Sequence, residues 1–346
     1  MAIAGAGPAA LLAAVPPAAA GDAAATGAAW TRTPLAAGHG IVTPSELHFT
    51  RHRGDIPTID PTRHELILHG MVQRPRTFTI AELGRFPSVT RFHFIECASN
   101  GRTAGARTVQ ATHGLTSTAE WTGVPLSAVL RAVGVQAGAG WVVAEGGDAA
   151  RMVASVPLGQ AWRDALLAYG QNGAALRPAQ GFPLRLILPG RPGHSHVKWL
   201  RRLEVSDRPR GIASGGLIAA KSVITFPSGG MMLPGPGWYE IGGLAWSGRG
   251  RIERVELSTD GGRSWVRAAL QEPVLPVCHT RFRLPWRWDG GTTVLQSRSC
   301  DETGGAQRHA IQSWRVAQDG SVSNLDGGSE DAQKRGAASG SSARRT

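Results

Sequence analysis

The hydrophobic period of this chain changes near residue 220, and that change divides it into two differently built bodies. In RIERVELSTDGG, residues 251–262, Val255 and Leu257 alternate with Arg254, Glu256 and Ser258. In TRFRLPWRWDGG, residues 280–291, Phe282, Leu284, Trp286 and Trp288 alternate with Arg281, Arg283, Pro285 and Arg287. Side chains two apart share a face of a strand, so each stretch has one apolar and one polar face. Both end in Asp-Gly-Gly, a hairpin signal. Strands of this kind, with turns about every ten residues, predict an immunoglobulin-like antiparallel β-sandwich over 220–318.

Residues 41–210 read differently. LHGMV (68–72), RFHFIEC (91–97), WVVAEG (141–146) and PLRLILPG (183–190) are short apolar runs bounded by Gly or Pro, and predict strands. PLSAVLRAVG puts Leu126, Val129, Leu130 and Val133 on one helical face, with Pro125 at its start and Gly134 at its end. PLGQAWRDALLAYGQNG predicts a second helix through Leu158, Ala161, Trp162, Ala165 and Leu166, with Tyr169 packing at its end. Strands interspersed with helices predict an α+β domain. A chain of 346 residues exceeds one ordinary core, and the seam falls near 207–219.

The ends differ from both bodies. Residues 1–40 are an Ala-rich leader with Ala-x-Ala options around 18–25, which reads either as a truncated export signal without its positively charged start or as a disordered Ala/Pro/Gly leader. Residues 319–346 are polar and Gly/Ser-rich, and are expected to be disordered. No apolar run reaches the length of a membrane span. The formal charge is +12, nearly all of it from Arg, since Lys occurs only at 198, 221 and 334. The arginines are scattered between apolar strands, without zinc-knuckle spacing, an RNA-binding aromatic motif or a basic helix. A nucleic-acid partner is therefore not expected, and small anions or an acidic protein suit the charge better.

Cys97, Cys278 and Cys300 are three cysteines without CxxC spacing, so neither a zinc site nor a disulfide framework is signalled. Cys97 ends an apolar run and is followed by Ser99, Asn100, Gly101 and Arg102, a polar turn of the kind that carries binding residues. By itself it reads as a small buried apolar residue or as a reactive thiol. A cation such as Arg102 beside the sulfur favours thiolate, which suits a soft metal or nucleophilic attack with His93 as base.

The segments HFTRHRGDIPTIDPTRHELILHGMVQRP, HFIECASNGR, THGLTSTAEWTGVPL, LLAYGQNG, QGFPLRLILPG and HVKWLRRLEV follow in order. With KSVITFPSGG, GLAWSGRGRIERVELSTDGGRSW and LQSRSCDETG, they resemble the sulfite oxidase family of molybdenum enzymes over residues 41–318. The likeness is nearest to the molybdenum subunits of bacterial sulfane (sulfite) dehydrogenases. It implies a molybdopterin-binding domain over 41–210, a dimerisation domain over 220–318, and Cys97 as the protein ligand to molybdenum. The family's cofactor segment falls on Phe49, Thr50, Arg51, His52 and Arg53, where Arg53 replaces a closing His. Its HGFPxR segment falls on Gln180 to Arg185, with Gln180 in place of the His. His196, Val197 and Lys198 match a further cofactor segment, and an acidic contact falls on Asp148.

The chemistry is consistent with those assignments. Arg185 can grip the cofactor's phosphate as a fork and Lys198 as a point charge, while Asp148 can accept from the pterin amino group. The alternatives are that Arg185 is an outward strand residue and Lys198 a solvated one, while His196 alone reads as structural and Trp121 and Trp199 as core. Arg51 and Arg102 match arginines that face the substrate.

The resemblance further implies oxidation of sulfite or protein-bound sulfane sulfur, electron transfer to a c-type cytochrome, a homodimer and a periplasmic location. The chain has no CxxCH haem motif of its own. Relative to the family, a tyrosine-bearing segment before AAKSVITFPSGG and an arginine-bearing one after DETG are missing, so cofactor binding with slow turnover is expected. The competing readings are a non-catalytic binding or scaffold subunit and a methionine sulfoxide-type molybdenum reductase.

Overall fold

Short apolar runs punctuated by Gly and Pro make strands in this protein, and strands dominate it. The computed structural model describes residues 30–325, apart from 53, 104 and 309. The leader through 29, Arg53 and the tail from 326 lie outside the described residues. Two compact units share the rest. The first holds residues 30–33, 42–98 and 115–218, and the second holds 34–41, 99–114 and 219–325.

The strands of the first unit are β1 (Glu65–Gly70), β2 (Arg76–Thr79), β3 (Val89–Glu96), β4 (Thr116–Pro125), β5 (Trp141–Gly146), β6 (Val153–Pro157), β7 (Leu166–Gln171), β8 (Ala174–Ala175), β9 (Arg185–Ile187), β10 (Leu200–Ser206) and β11 (Ile212–Ala213). They form a mixed six-stranded sheet ordered β11-β6-β5-β10-β1-β2, and an antiparallel sheet ordered β3-β4-β7-β8 in which β9 also pairs with β7. Four α-helices occur among the described residues: α1 (Ile80–Leu83), α2 (Val109–His113), α3 (Leu126–Val133) and α4 (Leu158–Asp164). In α3, Leu126, Val129, Leu130 and Val133 are fully buried, and Gly134 stops the helix at φ +71°. Only a residue tolerant of positive φ ends a helix this way without strain.

The helices are eight residues or fewer, so the expected α+β domain is instead mostly β-sheet. One predicted helix is also too long. It stops at Asp164, and Leu166–Gln171 is the strand β7, buried at every position. Tyr169 therefore lies in mid-strand and not at a helix end. A strand covered on both faces has no period-two signature, and its continuous apolar run is indistinguishable locally from more helix.

The second unit contains β12 (Lys221–Phe226), β13 (Gly237–Trp246), β14 (Ile252–Ser258), β15 (Val266–Arg267), β16 (Ala269–Gln271), β17 (Thr280–Trp288), β18 (Thr293–Asp301), β19 (Ser313–Val316) and β20 (Val322–Asn324). Two antiparallel sheets result, ordered β12-β13-β17-β16 and β15-β14-β18-β19-β20. Val255, Leu257, Phe282, Trp286 and Trp288 are buried as their alternation requires. Trp314 Nε1 donates to the Ile224 carbonyl at 3.0 Å and ties one sheet to the other.

Three expected boundaries are corrected. The leader does not run to 40: Thr31 bridges Thr50, and Leu35 is buried. The tail does not begin at 319, because Val322 is buried opposite Val316 in the β19–β20 pair. Finally, Ser99–Gly114 groups with the second unit although it begins two residues after Cys97. There Asn324 Nδ2 donates to the Ala106 carbonyl at 2.7 Å, and a Cβ on Gly229 would meet the Arg107 oxygen at 1.9 Å, so only glycine fits beneath that segment.

Candidate functional site

Cys97 stands one residue past β3, half-buried, with its N–H donating to the Leu115 carbonyl at 2.9 Å. Arg51 Nη1 donates to Cys97 Sγ at 3.0 Å. The chain approaches closely from the other side, where a Cβ on Gly193 would lie 3.3 Å from Cys97 Cα. His93 cannot serve as its base. Four residues along a strand separate them by about 13 Å, and desolvation, helped by Arg91, holds the His93 imidazole down at about 4.

A cationic pair lies in the same unit. Arg185 is 4% exposed on β9. Its Nη1 donates to the Gln180 carbonyl at 2.8 Å and to Gln180 Oε1 at 3.1 Å, and its guanidinium lies over Trp121, 5.0 Å from the ring centroid. Its Nε is buried and has no partner among the described residues. Burial lowers its pKa to about 9. Lys198 Nζ donates to the carbonyls of Ala179 at 3.0 Å and Arg51 at 3.2 Å, and sits over Trp199. Desolvation, then the Arg185 charge, pushes it down to about 7, against the pull of Asp148.

Gly181 makes this pairing sterically feasible. At φ +107°, a Cβ there would approach Lys198 Cα to 3.1 Å and Arg185 Cβ to 3.2 Å. Gln180 joins the two halves of the site, since its Nε2 donates to the Phe49 carbonyl at 3.0 Å while its Oε1 receives Arg185.

His196 accepts from the Leu188 N–H through Nδ1 and donates through Nε2 to the Arg191 carbonyl. That tautomer is neutral, and desolvation followed by the Arg185 charge lowers the ring to about 3. His196 is therefore a brace. Val197 and Phe49 are core residues whose carbonyls, not side chains, are polar contacts. Thr50 is occupied with Thr31. His52 lies edge-on to Trp199, and desolvation followed by the Lys198 charge lowers its pKa. Asp148, buried in the turn after β5, accepts from the Met152 N–H and partly offsets the lowering of both His52 and Lys198.

The fold thus brings Arg51, Cys97, Asp148, Gln180, Arg185, His196 and Lys198 into one unit. Arg102 is exposed and belongs to the other unit. His48 was not anticipated: it is buried, stacks on Phe49, and burial followed by the Arg185 and Lys198 charges lowers it to about 3 despite its bond to the Phe49 carbonyl. Its place as the first residue of HFTRHR was the available signal. Trp30, 4.1 Å from the Arg51 guanidinium, was hidden in leader-like composition. None of Cys97, Cys278 and Cys300 is in a disulfide among the described residues.

Among the described residues no cluster of three or more His, Cys, Asp or Glu could hold a metal ion. A metal at Cys97 needs most of its ligands from a cofactor. A buried cation with an unpartnered Nε, a second cation tuned near neutrality and a soft sulfur fit an anionic, metal-carrying group.

The sheet-built first unit and this donor set define a molybdopterin oxidoreductase. Residues 53–212 match the family model for the oxidoreductase molybdopterin binding domain, and 217–318 match the Mo-co oxidoreductase dimerisation domain. The chain belongs to the sulfite oxidase family of molybdenum enzymes. The crystal structure of the sulfane dehydrogenase SoxCD from Paracoccus pantotrophus superposes with a TM-score of 0.81 at 37% identity, covering 85% of each chain. Sulfite oxidase from Gallus gallus is 35% identical over 278 residues, which is 68% of this chain and 60% of that protein. A nitrate reductase [NADH] from Solanum lycopersicum is 32% identical over 306 residues, 72% of this chain but 33% of that protein. This chain therefore spans about a third of such nitrate reductases. No helix among the described residues is long and apolar enough to cross a membrane.

Proposed function

We propose that this protein oxidises a reduced sulfur anion, sulfite or protein-bound sulfane sulfur, and passes the electrons to a c-type cytochrome in the periplasm. The observation that carries the reading is the Arg51–Cys97 contact, a guanidinium held on a soft sulfur at a strand end. When bound, the molybdenum–molybdopterin cofactor supplies two-electron oxygen-atom transfer, which no side chain provides.

The chain's own residues hold and orient. Cys97 Sγ ligates the metal. Arg185 and Lys198 take the phosphate, with Gln180 fixing the Arg185 fork and Asp148 accepting from the pterin. Arg51 binds the substrate anion through charge-assisted hydrogen bonds, and the family resemblance gives Arg102 a substrate-facing role as well. His52 and Arg53 complete the cofactor segment. The second unit, an immunoglobulin-like sandwich in this reading, joins two copies. That unit also argues against a methionine sulfoxide-type reductase, which lacks one. Because the tyrosine- and arginine-bearing segments are missing, turnover is slow.

The test is elemental analysis of protein purified from a molybdenum-cofactor-competent host, followed by assays with sulfite and cytochrome c and with nitrate and reduced viologen. About one molybdenum per chain and sulfite turnover support the reading. Nitrate turnover instead supports the second reading, nitrate reduction, which the matched nitrate reductases favour. A folded sample without molybdenum leaves a binding or scaffold subunit.

A further inference from the structure

Trp30 is a large aromatic side chain that remains 47% exposed, yet its ring lies over the Arg51 guanidinium, 4.1 Å from ring centroid to Cζ. Burial alone does not account for a half-exposed indole. Its neighbour Thr31 is fastened to the residue before Arg51. The Thr31 N–H donates to the Thr50 carbonyl at 3.2 Å, the Thr50 N–H donates to Thr31 Oγ1 at 2.8 Å, and the two hydroxyls lie 2.9 Å apart. Three hydrogen bonds and one cation–π contact thus converge on the Thr50–Arg51 step from residues 30 and 31. Arg51 in turn reaches Cys97 Sγ.

We propose that Trp30 is a positioning residue for anion capture, its ring fixing the plane of the Arg51 guanidinium so that a tetrahedral or trigonal oxyanion is bound along the guanidinium edge. A flexible arginine loses rotamer freedom whenever it binds, and an arginine already stacked on an aromatic face has lost part of it beforehand. The face covered by the indole is closed to water and to anions alike, which favours approach along the edge where the N–H fork lies. Trp30 then also forms one wall of the anion site. Thr31 is the tether that holds the ring in register. This extends the proposed role of Arg51 as an anion ligand and rests on it.

The test uses sulfate as an inert oxyanion probe. Its binding to the purified full-length protein is measured by calorimetry for wild type, Trp30→Ala, Trp30→Phe and Arg51→Ala, with thermal melts to confirm folding. The expected result is about tenfold weaker sulfate binding in Trp30→Ala, substantial recovery in Trp30→Phe, and loss in Arg51→Ala. With sulfite as substrate, the KM of Trp30→Ala rises more than its kcat falls. Unchanged sulfate affinity in folded Trp30→Ala overturns the proposal, as does the absence of sulfate binding in wild type. If the sulfate pattern holds while sulfite is not turned over, the anion site stands and the sulfur-oxidation reading falls.

Discussion

Gln180 grips Arg185 twice, receiving its Nη1 at the main-chain oxygen and at Oε1, while the Gln180 amide donates to the Phe49 carbonyl two residues before Arg51. One neutral side chain therefore aligns a buried cation with the segment that carries the sulfur-facing arginine. Gln180→Leu keeps the volume and removes the two side-chain bonds, to Arg185 and to the Phe49 carbonyl, while the main-chain bond to Arg185 stays. It leaves the Phe49 carbonyl and an Arg185 N–H short of a partner, so the unfolding free energy should fall by about 1–3 kcal/mol. Urea melts measure that loss. Molybdenum content of the folded variant should fall as well, whereas Gln180→Glu should retain it by preserving the acceptor for Arg185.

Lys198 gives the cofactor site a pH dependence with a definite sign. In the ligand-free protein it titrates near 7, lowered chiefly by desolvation. An anionic group binds the protonated form, so affinity should be greatest below pH 7 and decline as pH rises above it. The effect on stability runs the other way. With a folded pKa below the ordinary lysine value of 10.5, the unfolded chain binds more protons between about 7 and 10.5, so stability rises with pH across that window. Cofactor retention after gel filtration at pH 6 to 9 checks the first claim. Lys198→Met should flatten the profile, and an equally steep profile in that variant assigns the dependence to another group.

Much of this arrangement was legible before any coordinates. Pro125 and Gly134 bracket α3, and the alternation in β14 and β17 picks out the buried Val255, Leu257, Phe282, Trp286 and Trp288, while Ser258 is buried against the pattern. These elements each have one face toward water, and local pattern records such a face. β7 is covered on both faces, so nothing in LLAYGQ separated it from the preceding helix. The membership of Ser99–Gly114 in the second unit depends on Gly229 and Asn324, more than a hundred residues away, and no local period encodes that. Within the site, Cys97, Arg185 and Lys198 were found by motif. Trp30 and His48 were not, because each acts through contact with a motif residue.

Cys97→Ser should retain the fold, since Cys97 is only half-buried and its main-chain bond to Leu115 does not involve the thiol. Removing the soft ligand should cost more than about a hundredfold in sulfur oxidation, beyond the usual cost of an outer-sphere partner. Arg51→Lys is the companion variant, because a point charge cannot reproduce a stacked planar fork. It should keep the metal and lose substrate affinity. Metal analysis beside steady-state rates separates the two, and full turnover in Cys97→Ser would remove Cys97 from the mechanism.

Chain truncation tests the corrected C-terminal boundary. A chain ending at residue 318 loses β20, which pairs with β19 through Trp314↔Asn324, Arg315↔Ser323 and Val316↔Val322. It also loses the Asn324 amide that holds the Ala106 carbonyl, on the segment that carries Arg102. A chain ending at 325 keeps both. The longer chain should therefore melt like the full-length protein, and the shorter one several degrees lower, since losing a short strand with one buried valine costs on the order of 1–3 kcal/mol. Asn324→Ala in the full-length chain separates the two contributions: it spares the strand pairing, so it should lower the melting temperature less than truncation while loosening residues 99–114. Hydrogen exchange of the amides at Gly101 and Thr112, which lie in that segment and bond to Thr112 and Thr108, reads the loosening directly. Equal protection in Asn324→Ala and wild type would assign the hold on that segment to the Gly229 contact and the buried face of α2 instead.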